Sequence, residues 1–237
     1  EDGIRDYKVT GVQTCALPIR NMLSKALDLG LSHLSLYQLT IEEGTVFYNR
    51  QRRGELMALN DDRAATLYDI TQELTNAAGL PAYEISNHAA PGNECQHNMI
   101  YWHGGDWIGV GPGAHGRFTR YKKIGNDVIR AATLTRRSPS GWLAAVLDNG
   151  HGIDQSYNET ATGWATEKLM MGMRLTAGIN LAEIETLCGP QADWLNFKGL
   201  HYAVENGLLI HDSNSGQLYA SASGRLRLNS LLSIIIR

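Results

Sequence analysis

Between Tyr83 and Gly116 the chain reads YEISNHAAPGNECQHNMIYWHGGDWIGVGPGAHG, and this stretch limits the folds open to it. Gly104-Gly105 is followed by Gly109, Gly111 and Gly113. Each glycine disfavours a helix interior by roughly 1 kcal/mol against alanine, so a continuous helix is excluded. A half-buried strand would alternate apolar and polar residues, whereas here histidine, asparagine and aromatics cluster. Four of the eight histidines (His88, His97, His103 and His115) fall in it, with Trp102 and Trp107 close to glycines. The pattern predicts a site wall of loops and short strands, with rings and donors turned to a ligand.

The flanking segments supply a scaffold. Asn21 to Leu29 reads as the last turns of an amphipathic helix stopped by Gly30. A strand follows in LSHLSLYQLTI, and helix, glycine turn and strand make the αβ step of a parallel sheet or barrel. Polar residues at the C-terminal end of such a strand are well placed for a ligand. Asn60-Asp61-Asp62 offers a cap for a helix that buries Leu67, Ile70, Leu74 and Ala78 and stops at Gly79, before Pro81. Tyr83 to Ser86 alternates as the next strand. The group Arg50, Arg52 and Arg53 reads as a solvated edge. Beyond Gly116, Arg117 to Arg130 is weakly extended around a Gly125-Asn126-Asp127 turn, and Ser138-Pro139 opens a short helix. Thr160 to Thr176 is a Met-rich core helix. Leu181 to Cys188 and Gln191 to Asn206 are two more, followed by a hairpin about DSNSG and a closing helix from Gly224 to Ile236. Helix, helix, hairpin and helix is a winged-helix-like order. Residues 160–237 carry six Lys and Arg against six Asp and Glu, so the basic face that nucleic acid requires is missing.

A net charge of −3 gives no field to recruit nucleic acid or an anionic membrane. No apolar run reaches the roughly 20 residues of a spanning helix. Cys15, Cys95 and Cys188 are odd in number and far apart, which excludes a disulfide framework and a C-x-x-C knuckle. These features predict a cytoplasmic protein.

Several chemistries fall away. There is no H-E-x-x-H or H-x-H, so four histidines do not make a zinc hydrolase. GVGPGAHG lacks the G-K-[ST] of a phosphate loop and is expected to approach a ligand with its backbone, with His115 pointing inward. No G-x-S-x-G elbow supports a serine nucleophile. With Asn98 to Trp102 extended, His97 and Tyr101 share a face and suit a flat macrocycle, an imidazole for iron and a ring to stack. A buried core histidine among aromatics is the alternative that spacing leaves open.

On these residues the chain resembles the HemW family of coproporphyrinogen-oxidase-like heme chaperones in the radical SAM superfamily. The matching pieces are HLSLYQLTIEEGTVF (His33 to Phe47), YEISNHA, HNMIYW (His97 to Trp102), WIGVGPGAHG, MGMRLTAGI and SGRLRLNSLL. The resemblance implies an α/β fold: the C-terminal part of a partial (β/α) radical-SAM-type barrel, then a helical, winged-helix-like C-terminal domain. Residues 20–125 would be the barrel part, 126–159 a connection and 160–237 the C-terminal domain. It implies S-adenosylmethionine, a [4Fe–4S] cluster in the whole protein, heme as cargo and apo-haemoproteins as recipients. By matching positions Tyr37 and Gln38 would end a barrel strand beside the S-adenosylmethionine site, with Ala114 and His115 near it. His97, Asn98, Tyr101 and Trp102 would form the heme-related motif, with His97 as the iron ligand. Peripheral membrane association and homodimerisation are both open to such a protein. Oxygen-independent coproporphyrinogen III oxidation is the alternative activity.

Two departures accompany the resemblance. Val9 to Ile19, VTGVQTCALPI, looks like the in-frame translation of a sequencing-adapter oligonucleotide, so residues 1–19 are expected to be an artefact and the chain a C-terminal fragment. The family's C-x-x-x-C-x-x-C cluster motif and the glycine-rich strand after it have no counterpart here. Without those thiolates the chain alone is expected to do no radical chemistry.

Overall fold

The computed structural model describes residues 16–121 and 128–237. The chain forms two compact units, residues 1–94 and 95–237. The adapter-like reading of residues 1–15 and the Gly125-Asn126-Asp127 turn lie outside the described residues.

In the first unit, helix α1 (Ala16–Leu27) begins five residues before the expected start, so Ala16 to Ile19 of the adapter-like run are helical. It buries Leu23, packs on α3 (Asp61–Ala77) and ends before Gly30, whose φ of 68° only glycine adopts readily. Strand β1 (His33–Ser35) is shorter than expected. Thr45 caps α2 (Val46–Arg52), a short helix that puts Arg50, Arg52 and Arg53 on the surface, where Arg53 meets Glu55 at 2.6 Å. The Asn60 side chain caps α3 by accepting from the Arg63 amide, as its sequence position predicts.

The strand after α3 is not Tyr83 to Ser86 but β2 (Asn87–Ala89). The expected strand is the turn of a narrow hairpin: the Tyr83 amide donates to the Asn87 carbonyl, and Ala89 donates to Pro81. Buried Glu84 pins this turn, accepting from the Ser86 amide at 2.7 Å and the Asn87 side chain at 2.5 Å. Because the returning arm is the one beside β1, β1 and β2 pair antiparallel, with Leu34 opposite His88 and Ser35 opposite Asn87. The parallel step expected from helix, turn and strand is therefore replaced here by a local reversal.

The second unit opens with α4 (Gln96–Trp102), in the region expected to be extended. Gly104-Gly105 does not forbid this helix; it ends it. The Gly105 amide donates to the Ile100 carbonyl and Gly104 (φ 63°) to Tyr101, the paired closure of a Schellman stop. Strands β3 (His115–Tyr121), β4 (Val128–Thr135) and β5 (Ile153–Asn158) make an antiparallel sheet in that order. Trp107 adds a bridge to the outer side of β3 through two backbone bonds with Arg117. Between β4 and β5 lies α5 (Pro139–Asn149), capped by Ser138 and ended at Gly150.

Helix α6 (Ala161–Gly172) buries Trp164, Ala165 and Leu169, and Met173 follows into the same core, while Met170 is exposed. A strand β6 (Ile179–Asn180) leads into α7 (Leu181–Cys188), capped by Asn180. The single helix expected over Gln191 to Asn206 is two pieces, a 3-10 turn (Gln191–Asp193) and α8 (Phe197–Glu205). Asn196 caps α8 on the Gly199 amide, and its own amide donates to the Ile235 carbonyl. Trp194 and Leu195, between the pieces, are buried, and this burial outweighs helical continuity. Strands β7 (Leu209–Asp212) and β8 (Gln217–Ala220) form the expected hairpin, with β6 on the far side of β8. The closing helix is also broken, into α9 (Ala222–Arg225) and α10 (Leu228–Ile235). An added Cβ at Gly199 would lie within bonding range of the Ile234 carbonyl, so α8 meets α10 backbone to backbone.

Candidate functional site

In the second unit the site is built outward from α4. His97 and Tyr101, four residues apart, lie on one face of the helix, as they would on a strand but through a different period. Their rings meet edge to face, with centroids 4.7 Å apart and planes at 90°. Tyr101 then meets Trp107 in the same way, at 4.7 Å and 70°. His97 is exposed, while Tyr101, Trp102 and Asn98 are half-buried. The imidazole thus stands at the solvent end of a row of rings.

Trp107 is fixed from below. Its indole nitrogen donates to the His115 carbonyl at 3.0 Å. The Arg130 guanidinium lies 5.5 Å from its ring and 5.8 Å from that of Trp164, and Arg117 lies 5.9 Å from Trp107. The Arg130 side chain is 1% exposed. It donates to Asp106 at 2.5 Å, to Thr119 at 3.2 Å and to the Gly105 carbonyl at 2.7 Å. Burial pulls the Arg130 pKa down, against the opposing charges of Asp106 and Glu167. Asp106 also accepts from the Thr119 amide and hydroxyl, each at 2.8 Å, and so ties the loop after α4 to β3. Arg117 reaches Glu167 of α6 at 2.8 Å.

The other side of α4 is held separately. Arg174 lies 5.1 Å from the Trp102 ring, and Lys168 donates to the His103 carbonyl at 3.2 Å, a cation at the negative end of the helix. Burial lowers the Lys168 pKa, and the charge of Arg130 adds to this.

The glycine loop differs from its expected role. His115 is exposed rather than inward, and Ala114 is half-buried. The close backbone approach is to the protein itself: a Cβ at Gly109 would sit 2.6 Å from the His115 carbonyl, and one at Gly116 2.5 Å from the Thr133 hydroxyl. The loop is clamped by Thr135, which donates to Gly111 at 2.5 Å and accepts from the Ala114 amide at 2.8 Å.

In the first unit Tyr37 and Gln38 line a cavity of about 370 Å³ between β1, α1 and α3. Tyr37 is exposed, and the Gln38 amide donates to the Ala64 carbonyl at 3.0 Å. His88 forms part of the wall and is 1% exposed. Its Nε2 lies 3.1 Å from the Gln72 amide nitrogen, which makes Nε2 the acceptor and leaves the proton on Nδ1. Nδ1 is buried and has no hydrogen-bond partner. Burial, and secondarily the charge of His33, lowers the His88 pKa to about 4, so the ring is neutral at pH 7.

The sequence places His88 in the site wall without a role of its own and Trp164 in a core helix, and it gives Arg130 no role. The burial of His88 follows from the pairing of β2 with β1, where it lies opposite Leu34. Arg130 carries no local signal, because its surroundings come from α4, β3 and α6 at once.

Among the described residues, no group of three or more His, Cys, Asp or Glu is placed to hold a metal ion. Cys95 is half-buried and Cys188 buried, neither in a disulfide, and burial pushes the Cys188 thiol up to about 11. The residues present do not fit a [4Fe–4S] cluster.

No family model matches the chain. A protein named heme chaperone HemW from Mycobacterium tuberculosis is 32% identical over 218 residues, 89% of this chain and 49% of its own length. HemW of Escherichia coli is 33% identical over 214 residues, 90% of this chain and 52% of its own. The chain is a homologue of HemW. The mouse protein named radical S-adenosyl methionine domain-containing protein 1, mitochondrial, is 34% identical over 219 residues, 91% of this chain and 48% of its own. The chain therefore spans about half the length of the HemW relatives it matches. Among solved structures, one described as coproporphyrinogen III oxidase (HemN) from Escherichia coli, a radical SAM enzyme, matches 92% of this chain and 51% of its own. Its TM-score is 0.66 at 13% identity, which shows a shared mixed α/β fold.

Proposed function

We propose that this chain carries the heme-handling part of a HemW-type heme chaperone and corresponds to the C-terminal half of its relatives. One observation carries the reading: HNMIYW folds as a helix whose His97 and Tyr101 rings meet at 4.7 Å, with the imidazole exposed. Homology to proteins named heme chaperone supplies the ligand class. In this reading His97 offers an imidazole to the iron, Tyr101 packs against the macrocycle, and Asn98 and Trp102 hold the helix. Apo-haemoproteins would be the recipients.

Residues 20–125 would then belong to a radical SAM barrel, 126–159 to a connection and 160–237 to the C-terminal domain. Tyr37 and Gln38, at the wall of the first unit's cavity, would face S-adenosylmethionine in the whole protein. The assignment of Ala114 and His115 to that cofactor rests on the resemblance alone. The cluster would be held by residues outside those described, and no step of radical chemistry is assigned to this chain. Among the described residues no helix is long and apolar enough to cross a membrane. A cytoplasmic location is carried over from the sequence reading as part of this proposal.

Titration of the chain with ferric heme tests the reading. A Soret shift that saturates near one equivalent and is lost in His97→Ala is expected. Conversion of coproporphyrinogen III without heme binding would favour the oxidase instead. After incubation with iron and sulfide the chain is expected to show neither cluster absorption nor S-adenosylmethionine cleavage.

A further inference from the structure

On one face of α4, His97 and Tyr101 meet the ring of Trp107. His97 rests on Tyr101 and Tyr101 rests on Trp107. The orientation of the exposed imidazole therefore depends on how firmly Trp107 is held. Its backbone is pinned to Arg117 and its indole nitrogen to His115. Its face is set by Arg130, a guanidinium between the rings of Trp107 and Trp164.

Arg130 also reaches the chain between α4 and Trp107. It donates to the carbonyl of Gly105, the residue that closes the Schellman stop of α4, and to Asp106, the neighbour of Trp107. One side chain thus joins the helix end, the loop, β3 through Thr119, and the ring under Tyr101. A lysine cannot do this, because a point charge lacks the planar fork that meets several acceptors while stacking.

We infer that Arg130 is a positioning residue for heme: it acts through Trp107 and Tyr101 to fix the direction in which His97 presents its imidazole. This rests on the reading of α4 as the heme-contacting element. Misalignment of a donor by a fraction of an ångström weakens a site without removing it, so the signature is a changed geometry rather than simple loss.

The test compares Arg130→Lys, Asp106→Asn and His97→Ala in the whole chain. Asp106 is 49% exposed, so its variant is expected to disturb the core less than the lysine variant does. Two readouts are taken: the ring-proton shifts of His97, whose ring meets that of Tyr101 edge to face, without heme, and the Soret maximum and affinity with ferric heme. Arg130→Lys or Asp106→Asn is expected to move the His97 shifts in the heme-free chain, to alter the Soret maximum and to weaken heme binding about tenfold. Unchanged His97 shifts in every folded variant overturn the inference whatever heme does. Moved shifts with heme spectrum and affinity unchanged, where His97→Ala abolishes binding, also overturn it. If His97→Ala leaves heme binding intact, it is the heme reading that fails, and Arg130 has no role in positioning heme.

Discussion

His88 and His97 lie nine residues apart, one in each compact unit, and their surroundings make them opposites. His88 is enclosed between a two-stranded sheet and α3, neutral, with one nitrogen engaged by Gln72 and the other unpartnered. His97 stands at the solvent end of a row of rings whose inner end is a buried arginine. The first unit excludes charge from its histidine; the second spends a buried cation supporting one that stays exposed. Histidine chemistry here is decided by what lies behind the ring, not by the residue or its local motif.

That contrast can be broken most directly with pH. The unfolded chain protonates His88 near the ordinary value of 6.5, and the folded ring does so only near 4. Between these values the unfolded state binds more protons. The contribution of neutral His88 is therefore complete above about pH 6.5, is lost as pH falls toward 4 and changes no further below that. The expected loss is roughly 3 kcal/mol, read from urea unfolding of the first unit's signal at pH 7 and pH 4. His88→Gln should flatten the slope; an unchanged slope would mean that His88 is not the buried neutral group.

A smaller effect belongs to the support of the other histidine. Arg130→Met leaves Asp106 and the Gly105 carbonyl without their cation, but Asp106 is half-exposed and recovers water. A loss of roughly 2 kcal/mol in denaturant unfolding of the second unit is expected. An equal loss in His97→Ala would erase the distinction between support and supported. That variant is instead expected to stay within about 0.5 kcal/mol of the parent chain, because an exposed side chain holds little of the fold.

Much of the scaffold was legible in the residues. Asn60, Ser138 and Thr160 cap the helices their positions predict, and Gly30, Gly79 and Gly150 follow the ends of α1, α3 and α5 at positive φ. The DSNSG hairpin is where turn chemistry puts it. The misreadings share one cause. Gly104-Gly105 argues against a long helix, but a pair of glycines equally well ends a seven-residue one. Tyr83 to Ser86 alternates like a strand, but Glu84 finds the Ser86 and Asn87 donors and folds it into a turn. Gln191 to Asn206 has helical composition throughout, yet burying Trp194 and Leu195 breaks it, with Asn196 as the new cap.

By itself the sequence determined the family resemblance, the mixed α/β class, the pairing of His97 with Tyr101 on one face and the absence of cluster thiolates. These depend on residue identity and short spacing, which the chain carries locally. Tertiary structure alone decided that α4 is a helix, that His88 is neutral and His97 exposed, and that Arg130 lies against Trp107, the ring that meets Tyr101. Each of those depends on desolvation and on contacts between residues distant in the chain, such as Arg130 with Asp106 and Trp164. No local pattern encodes them, because burial is a property of the assembled surroundings and not of the residue.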